Sequence, residues 1–171
     1  SRVAESRTIT AADYFPGIWD TNVVDGRLYG VPWYVDTRLL FYRRDLLAAA
    51  GIDAPPRSWA EWEGAMAALK KHSTGYAMLL PLNEFEPLLA LALQQDEPLL
   101  RQQESRGAFG GPGFHRALDF YSGIFANGWA PAMGGGEISN VWTEFGRGRF
   151  AFYISGPWNI EEFRGCVPPG R

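Results

Sequence analysis

Two apolar runs of this chain carry side chains that could hold a small polar molecule. The first is Gly30-Val-Pro-Trp-Tyr-Val-Asp-Thr-Arg-Leu-Leu-Phe-Tyr42, with Trp33, Tyr34, Asp36 and Arg38. The second is Arg149-Phe-Ala-Phe-Tyr-Ile-Ser-Gly-Pro-Trp158. Each mixes aromatic rings with a few hydrogen-bonding groups. A ring face covers apolar C–H groups while carboxylates and guanidinium groups bond hydroxyls, which is the chemistry that holds a sugar ring. Glu84 and Glu86 add two more carboxylates between the runs. Together with Asp36 they could serve a glycoside hydrolase, but acids beside aromatics are equally expected of a non-catalytic binding site. Binding is the reading carried forward.

Other chemistries find little support. His72 and His115 lie far apart with no second metal ligand at useful spacing, so no metal and no cofactor are expected. The glycines at 110–113 and 134–136 lack the Lys-Ser/Thr ending of a phosphate loop. There is no Gly-x-Ser-x-Gly elbow and no Cys/His nucleophile pair. A net charge of −3 without a basic run argues against nucleic acid. No apolar run approaches the roughly 18 residues of a spanning helix. The start lacks a signal-peptide profile. The one cysteine, Cys166, rules out an internal disulfide and reads as an exposed thiol in a polar tail.

The elements that must position these groups alternate between helix and strand in 171 residues, an α/β class of one-domain size. Residues 1–10 read as loose. Aromatics at helical or turn spacing cover 13–20, and Asp25-Gly26 predicts a tight hairpin within 21–29. A strand is predicted over 30–42, with Pro32 at its beginning or on an edge. Residues 45–50 form a short helix closed by Gly51. Ser58 and Glu61 make a capping box for a helix to His72, with Trp59, Trp62, Met66 and Leu69 on one face. A strand over 75–82 leads to Asn83, read as the N-cap of a helix reaching Gln95. A polar connection covers 96–113. The helix over 114–126 has a stripe of Phe114, Leu118, Tyr121 and Phe125. Residues 138–146 are helical, 149–155 form a strand, and Pro157 opens a last short helix that runs out at Gly165.

Four segments, in order and spacing, resemble the family 1 extracellular solute-binding proteins of ABC sugar importers, relatives of maltose-binding protein. They are Val24–Arg38, Leu40–Leu47, Pro55–Trp62 and Phe145–Trp158. The resemblance covers about residues 11–163. It implies a lobe of the periplasmic-binding-protein-like type II fold, a small sheet flanked by helices, incomplete relative to the full two-lobe fold. The expected organisation is a first-lobe remnant with the hairpin over 1–28, the second lobe with hinge strands over 29–163, and a disordered or truncated tail over 164–171.

The resemblance also implies site residues. Trp158 matches the Trp after Gly-Pro that stacks on a sugar ring. Asp36 matches a hinge-strand position that often bears a cleft-facing carboxylate. Arg38, two residues on, would share its strand face, and Trp33 or Tyr34 would alternate with them. Asn83, Glu84, Phe85 and Glu86 match a loop-to-helix start that supplies an aromatic or an acid. Phe85 stands where relatives often have Trp or Tyr, so it can stack but cannot donate a hydrogen bond. Trp142 lies one turn before Phe145 and could reach the cleft, although core packing suits it better.

The implied function is non-catalytic capture of a mono- or oligosaccharide for ABC permease subunits, at a periplasmic or cell-surface location. A standalone interaction module that reuses the lobe is the alternative, ahead of a glycoside hydrolase. Hinge strands without the facing lobe would leave unpaired edges, so a homo-oligomer is expected.

Overall fold

The structure, a computed structural model, describes residues 9–72, 75–102, 105–138 and 140–167. The expected loose start therefore falls, through residue 8, outside the described residues, as do positions 168–171 of the expected tail. The chain divides into two units, residues 1–37 and 38–171.

In the first unit, Thr10 donates its backbone N–H and its hydroxyl to the Asp13 carboxylate, closing a 3-10 turn over Ala11–Asp13. Helix α1 (Pro16–Asp20) follows, with Pro16 in its first turn, where the missing N–H costs nothing. Strands β1 (Val23–Val24) and β2 (Arg27–Leu28) pair antiparallel. Asp25 (φ 49°) and Gly26 (φ 72°) both take positive φ, the type I′ geometry that Asp-Gly favours.

The predicted strand over 30–42 is mostly absent. Only β3 (Leu39–Tyr42) forms a ladder, and its register begins with Leu39 opposite Ser155. Residues 29–38 belong to no strand. Pro32 has no N–H to offer a ladder, and the alternation expected of Trp33, Tyr34, Asp36 and Arg38 is not imposed by a sheet.

The second unit continues with helix α2 (Arg44–Ala49), helix α3 (Trp59–His72) and strand β4 (Tyr76–Leu79). Ser58 Oγ accepts from Glu61 N–H at 3.2 Å, half of the expected capping box. The Glu61 carboxylate turns instead to Arg57 N–H at 2.7 Å. Helix α4 (Glu86–Ala92) is shorter at both ends than predicted. Inside the expected polar connection, β5 (Leu100–Arg101) and β6 (Arg106–Gly107) pair as a small hairpin. Helices α5 (Pro112–Ala126) and α6 (Val141–Gly146), strand β7 (Phe150–Ser155) and helix α7 (Ile160–Cys166) complete the order. Cys166 is exposed, as expected of it, but it ends a helix rather than lying in a tail.

The main sheet has the order β3-β7-β4, with β3 antiparallel and β4 parallel to β7. Both faces are covered, which explains why β7 reads as a near-continuous apolar run. Phe152, Met78, Leu80 and Ala151 meet Trp62, Met66 and Leu69 of α3 and Ala117, Phe120 and Ile124 of α5 in the larger core. Leu79, Phe145, Phe150 and Phe163 form the smaller one, with Phe41 and Tyr153 packed against it. The stripe predicted for α5 is rotated. Gly113, Ala117, Phe120 and Ile124 are its buried residues, Phe114, Tyr121 and Phe125 flank them, and Leu118 is exposed.

Arg43 is the most deeply buried charge among the described residues of this unit, 3 % exposed. Its Nε and Nη2 grip the two Asp45 oxygens at 2.8 and 2.7 Å. Its Nη1 donates to the carbonyls of Phe145 and Gly146, the latter at 2.8 Å. One side chain thus ties the start of α2 to the end of α6.

Candidate functional site

The sheet topology gathers three segments at one edge. Because β3 runs against β7, Arg38 before β3 lies at the same end as Gly156 after β7. Because β4 runs with β7, the segment after Leu79 emerges there too. Ligands of open α/β sheets bind outside the carboxyl ends of the strands, and this edge is the carboxyl end of both β4 and β7.

The side chains meet as the chain path requires. Arg38 Nη2 lies 3.9 Å from Glu86 Oε1. The same guanidinium sits over the Trp158 ring, 5.5 Å from its centroid, within cation–π range. Trp158 is 53 % exposed and Phe85 67 % exposed, so both rings are accessible from solvent. Burial, and then the neighbouring Glu86 carboxylate, push the Glu84 carboxyl above the ordinary carboxylate range, with Arg38 opposing them. Burial raises the Tyr121 and Tyr153 phenols, and the Glu84 carboxylate adds to both shifts. Glu84 is therefore an acceptor with two phenols and a guanidinium in its field.

Raised in the fold, Glu84 holds its proton more tightly in the native than in the unfolded chain. Its contribution to stability is full below the unfolded value and is lost as pH rises through the folded one. Glu84→Gln should therefore raise the thermal midpoint near neutral pH and leave it unchanged in strong acid. A pH series of melting curves reads this, and equal gains at all pH values would contradict it.

Asn83 does not cap a helix. Phe85 occupies the N-cap position of α4, and Asn83 Oδ1 accepts from Gly135 N–H at 2.7 Å. The residue thus pins the loop after β4 to the 3-10 turn Gly135–Glu137.

The Gly156-Pro-Trp-Asn turn explains its own sequence. A Cβ on Gly156 would lie 2.0 Å from Trp158 Cζ3, so only glycine lets the indole fold back over the backbone. Pro157 starts the 3-10 turn Pro157–Asn159. Asn159 is buried and works in both directions. Its Nδ2 donates to Ser155 Oγ at 2.6 Å, and its Oδ1 accepts from Trp142 Nε1 at 2.8 Å. Trp142, partly buried, packs against the smaller core and donates its N–H to Asn159, so it braces the turn that carries Trp158. Gly156→Ala should swing the half-exposed ring outward at little cost in stability, because an exposed side chain can move. Indole fluorescence should shift to the red while the melting midpoint changes little; an unmoved spectrum would contradict the packing described.

Sequence reasoning missed Ser155, Asn159, Tyr121 and Tyr153. The polar Ser and Asn flanking Gly-Pro-Trp were the available signal for the first two, whereas the tyrosines look like core residues until the sheet places Glu84 beside them. Trp33, Tyr34 and Asp36 belong to the first unit and are exposed there. With Tyr14, Phe15, Ile18 and Val35, the two rings line a groove of 470 Å³ within that unit. Among the described residues no group of three His, Cys, Asp or Glu could hold a metal ion, and no helix is long and apolar enough to cross a membrane.

A three-stranded sheet with helices on both faces and a ring-and-carboxylate edge at its carboxyl end is the architecture of a solute-binding lobe. The chain belongs to the bacterial extracellular solute-binding protein family, whose model matches residues 6–165. It is similar to the sugar-binding protein MalE from Xanthomonas citri, with 57% identity and a TM-score of 0.85 over 99% of this chain and 43% of that one. The GacH receptor of Streptomyces glaucescens, solved unliganded and with acarbose, shares the fold at a TM-score of 0.77 and 23% identity, over 91% of this chain and 40% of that one. A galactooligosaccharide-binding protein of Bacillus subtilis is 24% identical over 168 residues, covering 84% of this chain and 35% of the relative. The chain thus spans less than half the length of each of these three.

Proposed function

We propose that residues 38–167 form the carbohydrate-binding lobe of an ABC importer's solute-binding protein, acting outside the cytoplasm by binding and not by catalysis. The observation that carries this reading is the Trp158 ring, half exposed at the carboxyl edge beneath the Arg38 guanidinium, which in turn pairs with Glu86 and acts on the Glu84 carboxylate. A mono- or oligosaccharide would lay a C–H face on Trp158 and Phe85 while its hydroxyls donate to the carboxylates. Trp33, Tyr34 and Asp36 carry the same chemistry in their own unit and are proposed as sugar contacts in their own right. In the whole protein, hinge closure around the sugar would signal the permease.

Isothermal calorimetry with a panel of neutral di- and oligosaccharides built from glucose, galactose and mannose tests this, with chromatography of the sugar afterwards. Saturable heat with unchanged sugar is expected. New sugar products would establish catalysis instead, and no heat from any member of the panel would contradict the reading.

A further inference from the structure

A cavity of about 180 Å³ opens beside the smaller core and shares no lining residue with the ring-and-carboxylate edge. Its buried lining is Leu79, Pro131 and Phe150, continued by the half-buried Met133 and Ile138. Tyr76, Glu137, Glu144 and Arg149 complete it. Glu144 is nearly buried and accepts from two arginines, Arg147 Nη1 at 3.0 Å and Arg149 Nη1 at 3.1 Å. The chain turns through Gly148 (φ 78°) between them, and both side chains return to the one carboxylate. Arg149 is also held through its backbone, which donates to the Glu144 carbonyl at 3.0 Å and accepts from Tyr76 N–H at 2.8 Å. Its side chain nevertheless stays 73 % exposed.

Both carboxylates of the lining are already committed. Glu144 serves the two arginines, and Glu137 Oε2 accepts from Gly134 N–H. Two guanidinium groups carry far more N–H donors than one carboxylate can accept from. Lys70 Nζ adds a further cation, 5.3 Å from the centroid of the Tyr76 ring. Donors and positive charge are therefore in surplus around an apolar hollow. We propose that this cavity binds a small organic acid, its carboxylate on the Arg149 guanidinium and its aromatic or branched aliphatic body among Leu79, Met133, Ile138 and Phe150. Guanidinium and carboxylate match as planar, charge-assisted partners, and burial of the body against the apolar walls supplies the remaining affinity. The site goes beyond the sugar reading and does not depend on it.

The test is a two-dimensional NMR titration of the assigned chain with phenylacetate, phenylacetamide and phenethylamine, which share an aromatic body and differ in charge. Phenylacetate should give saturable shifts at the Met133, Ile138, Arg149 and Phe150 amides, with a dissociation constant on the order of 1 mM, as befits so small a ligand. The amide should bind roughly fivefold more weakly and the amine more weakly still. Arg149→Gln should weaken phenylacetate binding roughly five- to tenfold, whereas Arg147→Gln, which alters the same carboxylate pair from outside the cavity, should change it by less than about twofold. Should Arg149→Gln fail to fold, the order of the three compounds on the parent chain still decides. Tighter binding of the amine would make a carboxylate the recognising group and overturn the proposal. Equal affinity for all three compounds, equal effects of the two arginine variants, or no saturable shift at these amides would overturn it as well. No sugar enters the titration, so its outcome and that of the sugar calorimetry are independent.

Discussion

Replacing Arg43 by methionine is expected to lower the stability of the chain by about 3–5 kcal/mol, a large share of the roughly 5–15 kcal/mol that holds a domain folded. Arg43 is nearly fully buried and makes two bonds to Asp45 and two to the carbonyls of Phe145 and Gly146. Charge-assisted bonds of this kind contribute roughly 1.5–3 kcal/mol, and carbonyls left without a donor add a desolvation cost. Methionine fills the volume but supplies no donor. Arg43→Lys should recover less than half of the loss, because an ammonium cannot span the carboxylate fork and the two carbonyls together.

The pH dependence provides an internal check. The hydrogen bond from Arg43 is the chief cause that holds the Asp45 carboxyl below its ordinary range. The stability it contributes is present above the unfolded value and is lost as pH falls through the folded one. That contribution of Asp45 to the acid limb should shrink in Arg43→Met, with only the backbone hydrogen bonds at Leu46 and Asp45 left to sustain it. Guanidinium melts at several pH values measure both effects. A loss under about 1 kcal/mol would show that the buried fork is dispensable.

Removing the indole of Trp158 should produce the largest loss of ligand. Trp158→Ala is expected to weaken sugar binding about 30-fold, roughly 2 kcal/mol, the cost typical of truncating an aromatic anchor. Half exposed, the ring supports little of the core, so the melting midpoint should stay close to that of the parent chain. Trp158→Phe keeps a flat apolar face and should regain most of the affinity. Unchanged binding by Trp158→Ala would remove the ring from the site. A collapse in stability would make it a core residue.

Local chemistry was legible in the sequence where neighbours in the chain settle the outcome. Asp25-Gly26 demands positive φ at both positions, and the structure has it. Ser58 marks the start of α3 because its hydroxyl reaches a donor three residues away. Pro157 is readable as the start of the last helical segment because its fixed φ and missing N–H suit a first turn, and a 3-10 turn does begin there.

What depends on distant partners was not legible. A strand needs a ladder, and the run from Gly30 offers strand-forming residues that find none before Leu39. Asn83 looks like a cap because caps are local, yet its partner is Gly135, 52 residues away. The stripe on α5 depends on which side the sheet lies, which periodicity does not encode, and so Leu118 of the predicted stripe faces solvent. Arg43 and Arg44 are adjacent and chemically identical, and only the position of the end of α6 decides which one is buried.

The central claim is that the carboxyl edge of the β3-β7-β4 sheet binds a neutral saccharide. Its most direct test is a two-dimensional NMR titration of the assigned chain with the calorimetric panel, at sugar concentrations reaching the millimolar range. Saturable shifts are predicted at the Trp158 indole, at the Asn83–Glu86 amides and at Arg38, with the α3 and α5 surface unmoved. Saturable shifts confined to any other surface, or none at this edge, would contradict the account.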